Sequence, residues 1–365
     1  MPRLNSFLGA VALILAVAPA ALAEDVRRPV PATEGDDGTV LRLFWEDDGS
    51  LPNLLFGHDR HYTNGLALAI LGRPGWLEPV SESLPFWDPA GAAAGSRTGG
   101  GWVLGQLMFT PRDIGNPNPI PDDMAFAGYL YTGGFWQRET EVAGAPGVRV
   151  LEHAELDVGV IGPSSKGASL QTFVHDRLHF GTHPDGWRNQ MSDEPTGQLY
   201  LRRKWCLDQA FFGVPPAGPW RWEAIPEATL ALGTVYDHAE AGCTVRYGVN
   251  LPRDFGPPRL TDPGTPGCGA KGGSFYVYAR TSARAAAYDS FTDGSMLHSG
   301  RTGGGSAIHG NRLRADGTLG LLLAQDWGRV RLELGYGLTF QTKQFREQRG
   351  RDSYGAFQLG VKMDL

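Results

Sequence analysis

Three groups of side chains carry the types that hydrolytic chemistry needs: the carboxylates Glu46-Asp47-Asp48, the polar run His58-Asp59-Arg60-His61-Tyr62-Thr63-Asn64-Gly65, and His175 beyond a Gly/Pro/Ser loop. Carboxylates gathered at adjoining strand ends offer the hard oxygen donors that calcium prefers. A histidine on a neighbouring strand end would then act as general base toward an ester polarised by the cation. Each group also has an ordinary reading. An acidic triplet suits a solvated turn, and one histidine among nine suits a surface or capping role.

Other chemistries fit less well. His175-Asp176-Arg177-Leu178-His179 sets two histidines four apart around an acid, as in the HExxH helix of zinc proteases, and Leu170, Val174 and Leu178 share a helical face. Asp has a shorter reach than Glu toward a metal-bound water, and no third ligand follows, so the single-base reading ranks above zinc. No GxSxG elbow is present, and Gly162-Pro163-Ser164-Ser165-Lys166-Gly167 matches neither a P-loop nor an SxxK at a helix start, leaving Ser164 and Ser165 little claim as nucleophiles.

Strands must position these groups. Leu156, Val158 and Val160 alternate with Glu155, Asp157 and Gly159 just before the loop that delivers His175. The same period of two runs through Leu332–Phe340 against Arg331–Thr339, through Phe357–Leu365 against Gln358–Asp364, and through Cys243–Val249 against Thr244–Asn250. An interior holding Arg331, Glu333 and Arg246 is unlike a sandwich core, whereas a lipid-facing Arg at mid-membrane would cost about 2–4 kcal/mol. Trp45, Trp102, Trp136 and Trp327 lie near segment ends, as in interfacial girdles. Twelve segments are predicted, near 40–46, 64–72, 101–109, 126–137, 150–161, 196–205, 227–236, 241–250, 273–284, 314–325, 328–341 and 354–365. The fold class is all-β, a transmembrane antiparallel β-barrel. Arg73–Gly100, Pro163–Pro195 and Arg253–Gly272 are expected as long extracellular loops, with short turns on the periplasmic side.

Arg3, the apolar run Leu8–Val17 and Ala21-Leu22-Ala23 read as a cleavable signal peptide over residues 1–23, with the barrel over 24–365. Removing its one positive charge takes the formal net charge from −6 to −7, which argues against nucleic acid as a partner. Cys206, Cys243 and Cys268 allow one disulfide at most and form no metal knuckle.

Seven stretches in order resemble the LpxR-type lipid A 3′-O-deacylases of Gram-negative outer membranes: DRHYTNG (Asp59–Gly65), GQLMFTPRD (Gly105–Asp113), DDMAFAGYLYTG (Asp122–Gly133), ELDVGVIGPSSKG (Glu155–Gly167), the following LQTFVH, GWRNQMSDEP (Gly186–Pro195) and GCTVRYGVNLPRDFGPP (Gly242–Pro258). The resemblance covers nearly the whole mature chain. It implies a twelve-stranded barrel that removes the 3′-linked acyloxyacyl group of lipid A with calcium as cofactor. The implied chemistry is similar to that of secreted phospholipases A2, in which a histidine activates water and a cation stabilises the oxyanion. By position it implies His175 as the base, with Asp47, Thr63 and Glu46 at the metal site. Glu46 stands where the family often has Asn, which adds a negative charge. Met124 stands where many members have Arg, and no Lys-Arg pair follows Pro111. The expected partners are lipid A or lipopolysaccharide of the outer leaflet and the outer membrane itself, and the expected state is a monomer. A non-enzymatic porin or structural barrel, and an outer-membrane phospholipase, are the rival readings.

Overall fold

The computed structural model describes residues 27–28, 38–48, 60–77, 79, 96–142, 147–178, 182–215, 218–266, 272–297 and 307–363. The signal-peptide segment, His58, Asp59, His179, Cys268 and Leu365 lie outside them. A two-residue strand β1 (Arg27–Arg28) precedes twelve barrel strands: β2 (Thr39–Asp47), β3 (His61–Gly72), β4 (Arg97–Thr110), β5 (Ala127–Val142), β6 (Val148–Ile161), β7 (Glu194–Asp208), β8 (Trp220–Gly233), β9 (Tyr236–Val249), β10 (Ser274–Asp289), β11 (Leu313–Trp327), β12 (Val330–Gln341) and β13 (Asp352–Met363). Each barrel strand pairs antiparallel with its sequence neighbours, and β13 closes on β2 from Gly355↔Asp47 to Met363↔Thr39. All twelve predicted segments are therefore present. Closure matters because an open edge would leave backbone donors and acceptors without partners in lipid.

The side chains sort by the pleat. Leu156 and Val158 are 53% and 58% exposed, while Glu155 and Asp157 between and beside them are buried. Val245 and Tyr247 likewise face out around Arg246, which is wholly buried. Trp45, Trp102, Trp220 and Trp327 are exposed on the outer wall toward the strand ends.

The three long segments do not gather at one end, which corrects the expectation for two of them. Strand parity puts Pro163–Pro195 at the end that carries Asp47, but Arg73–Gly100 and Arg253–Gly272 join strands at the opposite, Thr39 end. Nor does the second of these hang outside. Residues 250–266 turn back into the barrel, and the Leu260 side chain reaches Gly65 of β3, where a Cβ would meet its Cδ1 at 2.7 Å.

Lumen side chains hold this plug. Arg42 donates to the Pro263 and Thr265 carbonyls at 2.6 and 3.0 Å, and Gln137 to the Gly264 carbonyl at 2.7 Å. The fully buried Asp262 carboxylate meets Arg202, Lys204 and Arg259. Burial opposes its charge, yet these three cations hold its pKa well below the usual carboxylate range. Above Leu260 remains a cavity of about 180 Å³ lined by Glu46, Tyr62, Arg280, Arg284, Asp316 and Tyr354. Cys206 and Cys243, on β7 and β9, are both free thiols.

Removing Asp262 would leave three buried cations short of a counter-charge, and breaking buried pairs this way costs about 3–5 kcal/mol. Asp262→Ala should therefore lower the temperature at which the barrel loses its compact, fast-migrating form in detergent gels. An unchanged temperature would mean that the plug adds nothing to barrel stability.

Candidate active site on the outer wall

β2 presents its two acidic residues to opposite faces. Consecutive strand side chains alternate, so Glu46 points into the lumen while Asp47 points out. The pleat thus puts Glu46 and Asp47, expected together at the cation site, on opposite faces of β2. Inside, the Tyr62 hydroxyl donates to Glu46 Oε2 at 2.6 Å; outside, Asn64 Nδ2 donates to Asp47 Oδ2 at 3.1 Å.

Tyr62 and Asn64 are two residues apart and would share a face in a regular strand. They do not, because the β3–β4 register slips between them: Tyr62 pairs with Phe109 and Asn64 with Met108. Thr63 is the extra, bulged residue. Its hydroxyl lies 2.6 Å from that of Thr110, and its carbonyl accepts from the Asp48 amide at 3.2 Å. The bulge thereby gives each acidic residue of β2 its own β3 partner.

The register then defines one row across the outer wall: Gly355, Asp47, Asn64, Met108 and Gly128 on β13, β2, β3, β4 and β5. Helix α1 (Gly167–Leu178) lies against the Met108–Gly128 end of this row. After the 3-10 turn Pro163–Ser165 over β5 and β6, α1 passes back across β5 and β4. Two glycines permit the close approach. A Cβ on Gly128 would sit 2.1 Å from Ser165 Oγ, and one on Gly167 would sit 3.1 Å from Gly128 Cα and 3.4 Å from Met108 Cγ.

The helix is clamped from above by its own loop. Trp187 packs on Phe126 at 5.0 Å between ring centres, within a cluster that includes Met108, Ile114 and the α1 residues Ala168 and Leu170. Its Nε1 donates to Gln171 Oε1 at 2.7 Å. The Phe126 loop is held in turn by the Asp123 carboxylate, which meets His61 Nε2 at 3.0 Å and the Arg112 amide at 2.9 Å. Burial would raise the pKa of Asp123, but the His61 contact and the amide bonds leave it lowered.

Gln171 and His175 are four apart and so share one helix face. Gln171 is buried and His175 half-buried, and among the described residues neither Gln171 Nε2 nor His175 Nδ1, both shielded from solvent, has a hydrogen-bond partner. Such atoms call for a water or a ligand. Gln171 lies within the LQTFVH stretch but matches no catalytic motif; its spacing of four from His175 is the signal that could have found it. Ser164 and Ser165 are engaged elsewhere, with Asp193 and the Gly162 carbonyl, and among the described residues no histidine bonds to them. The Asp176 carboxylate faces His183 at 3.5 Å on the exposed side, and His179 of the HExxH-like run falls outside the described residues.

Among the described residues no three His, Cys, Asp or Glu side chains are grouped so that they could hold a metal ion. The donors at the Asp47 end are one carboxylate, the Asn64 amide and the Thr63 oxygens. An all-oxygen set of this kind suits a hard cation that keeps water or substrate oxygens, and not zinc.

A closed twelve-stranded barrel with a greasy wall and a charged lumen, carrying a helix against the outer face of β4 and β5, defines an outer-membrane β-barrel. The family model for outer membrane protein LpxR matches residues 8–363, and the chain belongs to the LpxR family. Among solved structures it is similar to LpxR from Salmonella typhimurium, with 19% identity over 89% of this chain and 100% of that one and a TM-score of 0.62, a likeness of fold. The β domain of the Bordetella autotransporter BrkA also matches, at 12% identity, 90% and 100% coverage and a TM-score of 0.42. So does the NalP translocator domain from Neisseria meningitidis, at 8%, 100%, 97% and 0.42 respectively. No curated protein sequence matches.

Trp187→Ala should free α1 while leaving the barrel intact, since truncating a buried Trp costs about 3–5 kcal/mol. Hydrogen exchange across 167–178 should accelerate, and Trp187→Phe, which keeps the ring contact, should show a smaller change. Equal protection in all three proteins would show that the indole does not dock the helix. Because the pKa of Asp123 is depressed, its stabilisation is present above the ordinary value of 3.8 and lost as pH falls below it. Exchange of residues 111–126 should rise in that acid range, and less so in Asp123→Asn.

Proposed function

We propose that this protein is an outer-membrane lipid A deacylase that hydrolyses the 3′-linked acyloxyacyl ester on its outer wall, with His175 as general base. One observation carries the reading. The unpartnered Gln171 Nε2 and His175 Nδ1 lie on one face of a helix clamped against a lipid-facing strand row that also holds Asp47 and Asn64. Membership of the LpxR family supports the outer-membrane lipid A deacylase class.

Substrate would approach sideways from the outer leaflet. Below the polar row the wall offers Leu43, Trp45, Leu66 and Leu104, each about two-fifths exposed, as a track for acyl chains. Asp47, with oxygens of Asn64 and Thr63, would hold calcium, which when bound supplies positive charge beside the ester carbonyl. His175 takes a proton from a water as that water's oxygen attacks the carbonyl carbon. The ester C–O bond then breaks, the imidazolium returns the proton to the sugar 3′ oxygen, and the fatty acid departs and gives up its own remaining proton to solvent. Gln171, fixed through Trp187, donates from Nε2 to orient the attacking water or the carbonyl. A phospholipase would use the same chemistry on another headgroup. A porin is disfavoured by the plug at 250–266.

Expression in an outer membrane, followed by mass spectrometry of lipid A, should reveal loss of the 3′ acyloxyacyl chain. His175→Ala should lose roughly 10²–10⁴ of the rate, the usual contribution of a positioned base. Asp47→Ala should also fail, and chelation should abolish activity until calcium is restored. Unmodified lipid A with the wild-type protein in calcium sinks the reading. Fatty acid release from phospholipid that needs His175 would move it to a phospholipase, and steady conductance in a planar bilayer would favour the porin.

A further inference from the structure

The loop between β12 and β13, Thr342–Arg351, is the most cationic connection at the Asp47 end, with Lys343, Arg346, Arg349 and Arg351 against the single carboxylate of Glu347. It is built from inward anchors and outward charges. Phe345 is fully buried and edge-on to His61 at 5.2 Å. Gln348 is buried too, and its Nε2 donates to Asp352 Oδ2 at 2.7 Å. Phe345 bridges to Gly310, and the Arg346 amide donates to the His309 carbonyl at 2.9 Å. All four cations are exposed on this pinned frame.

Their partners are few. Glu347 is taken by His309 Nδ1 at 2.7 Å, and Arg349, 68% exposed, reaches Asp122 at 3.1 Å. Among the described residues no carboxylate meets Lys343, Arg346 or Arg351. Exposed cations held apart on a rigid turn, in a chain of negative net charge, are arranged for an anion from outside.

The position says which anion. β13 descends from the loop to pair Gly355 with Asp47, and two residues lower Phe357 stacks on Trp45 at 5.5 Å on the outer wall. Stacked aromatics facing lipid mark the interfacial level, so the loop stands at headgroup height beside Asp47. The stretch after Pro111, by contrast, offers only Arg112, and Asp122 and Asp123 occupy that guanidinium at 2.8 and 3.2 Å.

We infer that Arg346, Arg349 and Arg351 form the site that grips a phosphate of the lipid A disaccharide while the ester lies at the α1 cleft. This rests on the deacylase reading. Guanidinium groups suit the task because their paired N–H donors match phosphate oxygens. Asp122 then serves as the counter-ion that a phosphate displaces from Arg349.

The test measures binding of the full-length protein to detergent micelles doped with bis-phosphorylated lipid A, with the same lipid after phosphatase treatment, or with phosphatidylcholine. Wild type should prefer the phosphorylated lipid, and R346Q/R349Q/R351Q should bind it on the order of tenfold or more weakly. The triple lysine variant R346K/R349K/R351K should keep much of the preference, which separates lost charge from lost folding. Equal binding by wild type and the glutamine triple overturns the proposal. So does inorganic phosphate bound at the loop as tightly as the lipid. Phosphate-dependent binding without deacylation would sink the deacylase reading and spare this site; deacylation with binding indifferent to phosphate and to the triple variant would do the reverse.

Discussion

A strand that crosses lipid must bury every backbone polar group in the sheet, and this closes the chain into a barrel with two unlike faces. Everything else follows from where charge can then go. The outer face carries Leu, Val and Trp, so Arg42, Arg246, Arg280, Glu227 and Glu240 turn inward, where they pair with one another and with the plug. A lumen filled with matched ions and the turn around Asp262 leaves little room for lipid. Polar chemistry directed at lipid can therefore stand only on the outer wall, near a rim where water and headgroups reach it.

Building a polar cleft on a greasy wall takes two departures from regular structure. One is the bulge at Thr63, which changes the face of β3 so that Tyr62 serves Glu46 inside and Asn64 serves Asp47 outside. The other is α1, a helix that covers outward strand ends which would otherwise meet headgroups. It reaches the wall closely because Gly128 and Gly167 carry no Cβ, and it stays there because Trp187 joins a ring contact to a hydrogen bond. The helix thus brings a histidine to a sheet surface that could not have presented one so well shielded.

The alternating strands were legible in the sequence because lipid and water write a period of two directly into residue type. Leu156, Val158, Val245 and Tyr247 all face out as read. Where pairing breaks the rule, legibility fails. The predicted strand at 227–236 begins at Trp220, since Pro226 sits inside β8, paired with Cys243 of β9 while the β7 register skips it. The plug has no local signature that separates it from an outer loop, because its fold depends on Arg42, Gln137 and Lys204, far away in sequence. For the candidate site, the sequence offers residue types but not the faces they take: the same alternation that places Arg246 inside also separates Glu46 from Asp47, and the bulge at Thr63 has no residue signature.

One buried group ties the parts of the rim together. His61 takes a left-handed backbone, φ 67°, unusual for a residue with a Cβ and costing about 1–3 kcal/mol. Its two ring nitrogens offset that cost, with Nε2 on Asp123 at 3.0 Å and Nδ1 on Asp352 at 2.8 Å. Asp123 steadies the loop whose Phe126 seats Trp187 and hence α1; Asp352 receives Gln348 and so anchors the cationic loop. The helix that carries His175 and the cationic loop, on either side of β2 and β3, are thereby referred to a single imidazole at the top of β3. A lipid that must present a phosphate and an ester at a fixed separation needs such a common reference, because two independently floating loops would lose the advantage of orientation.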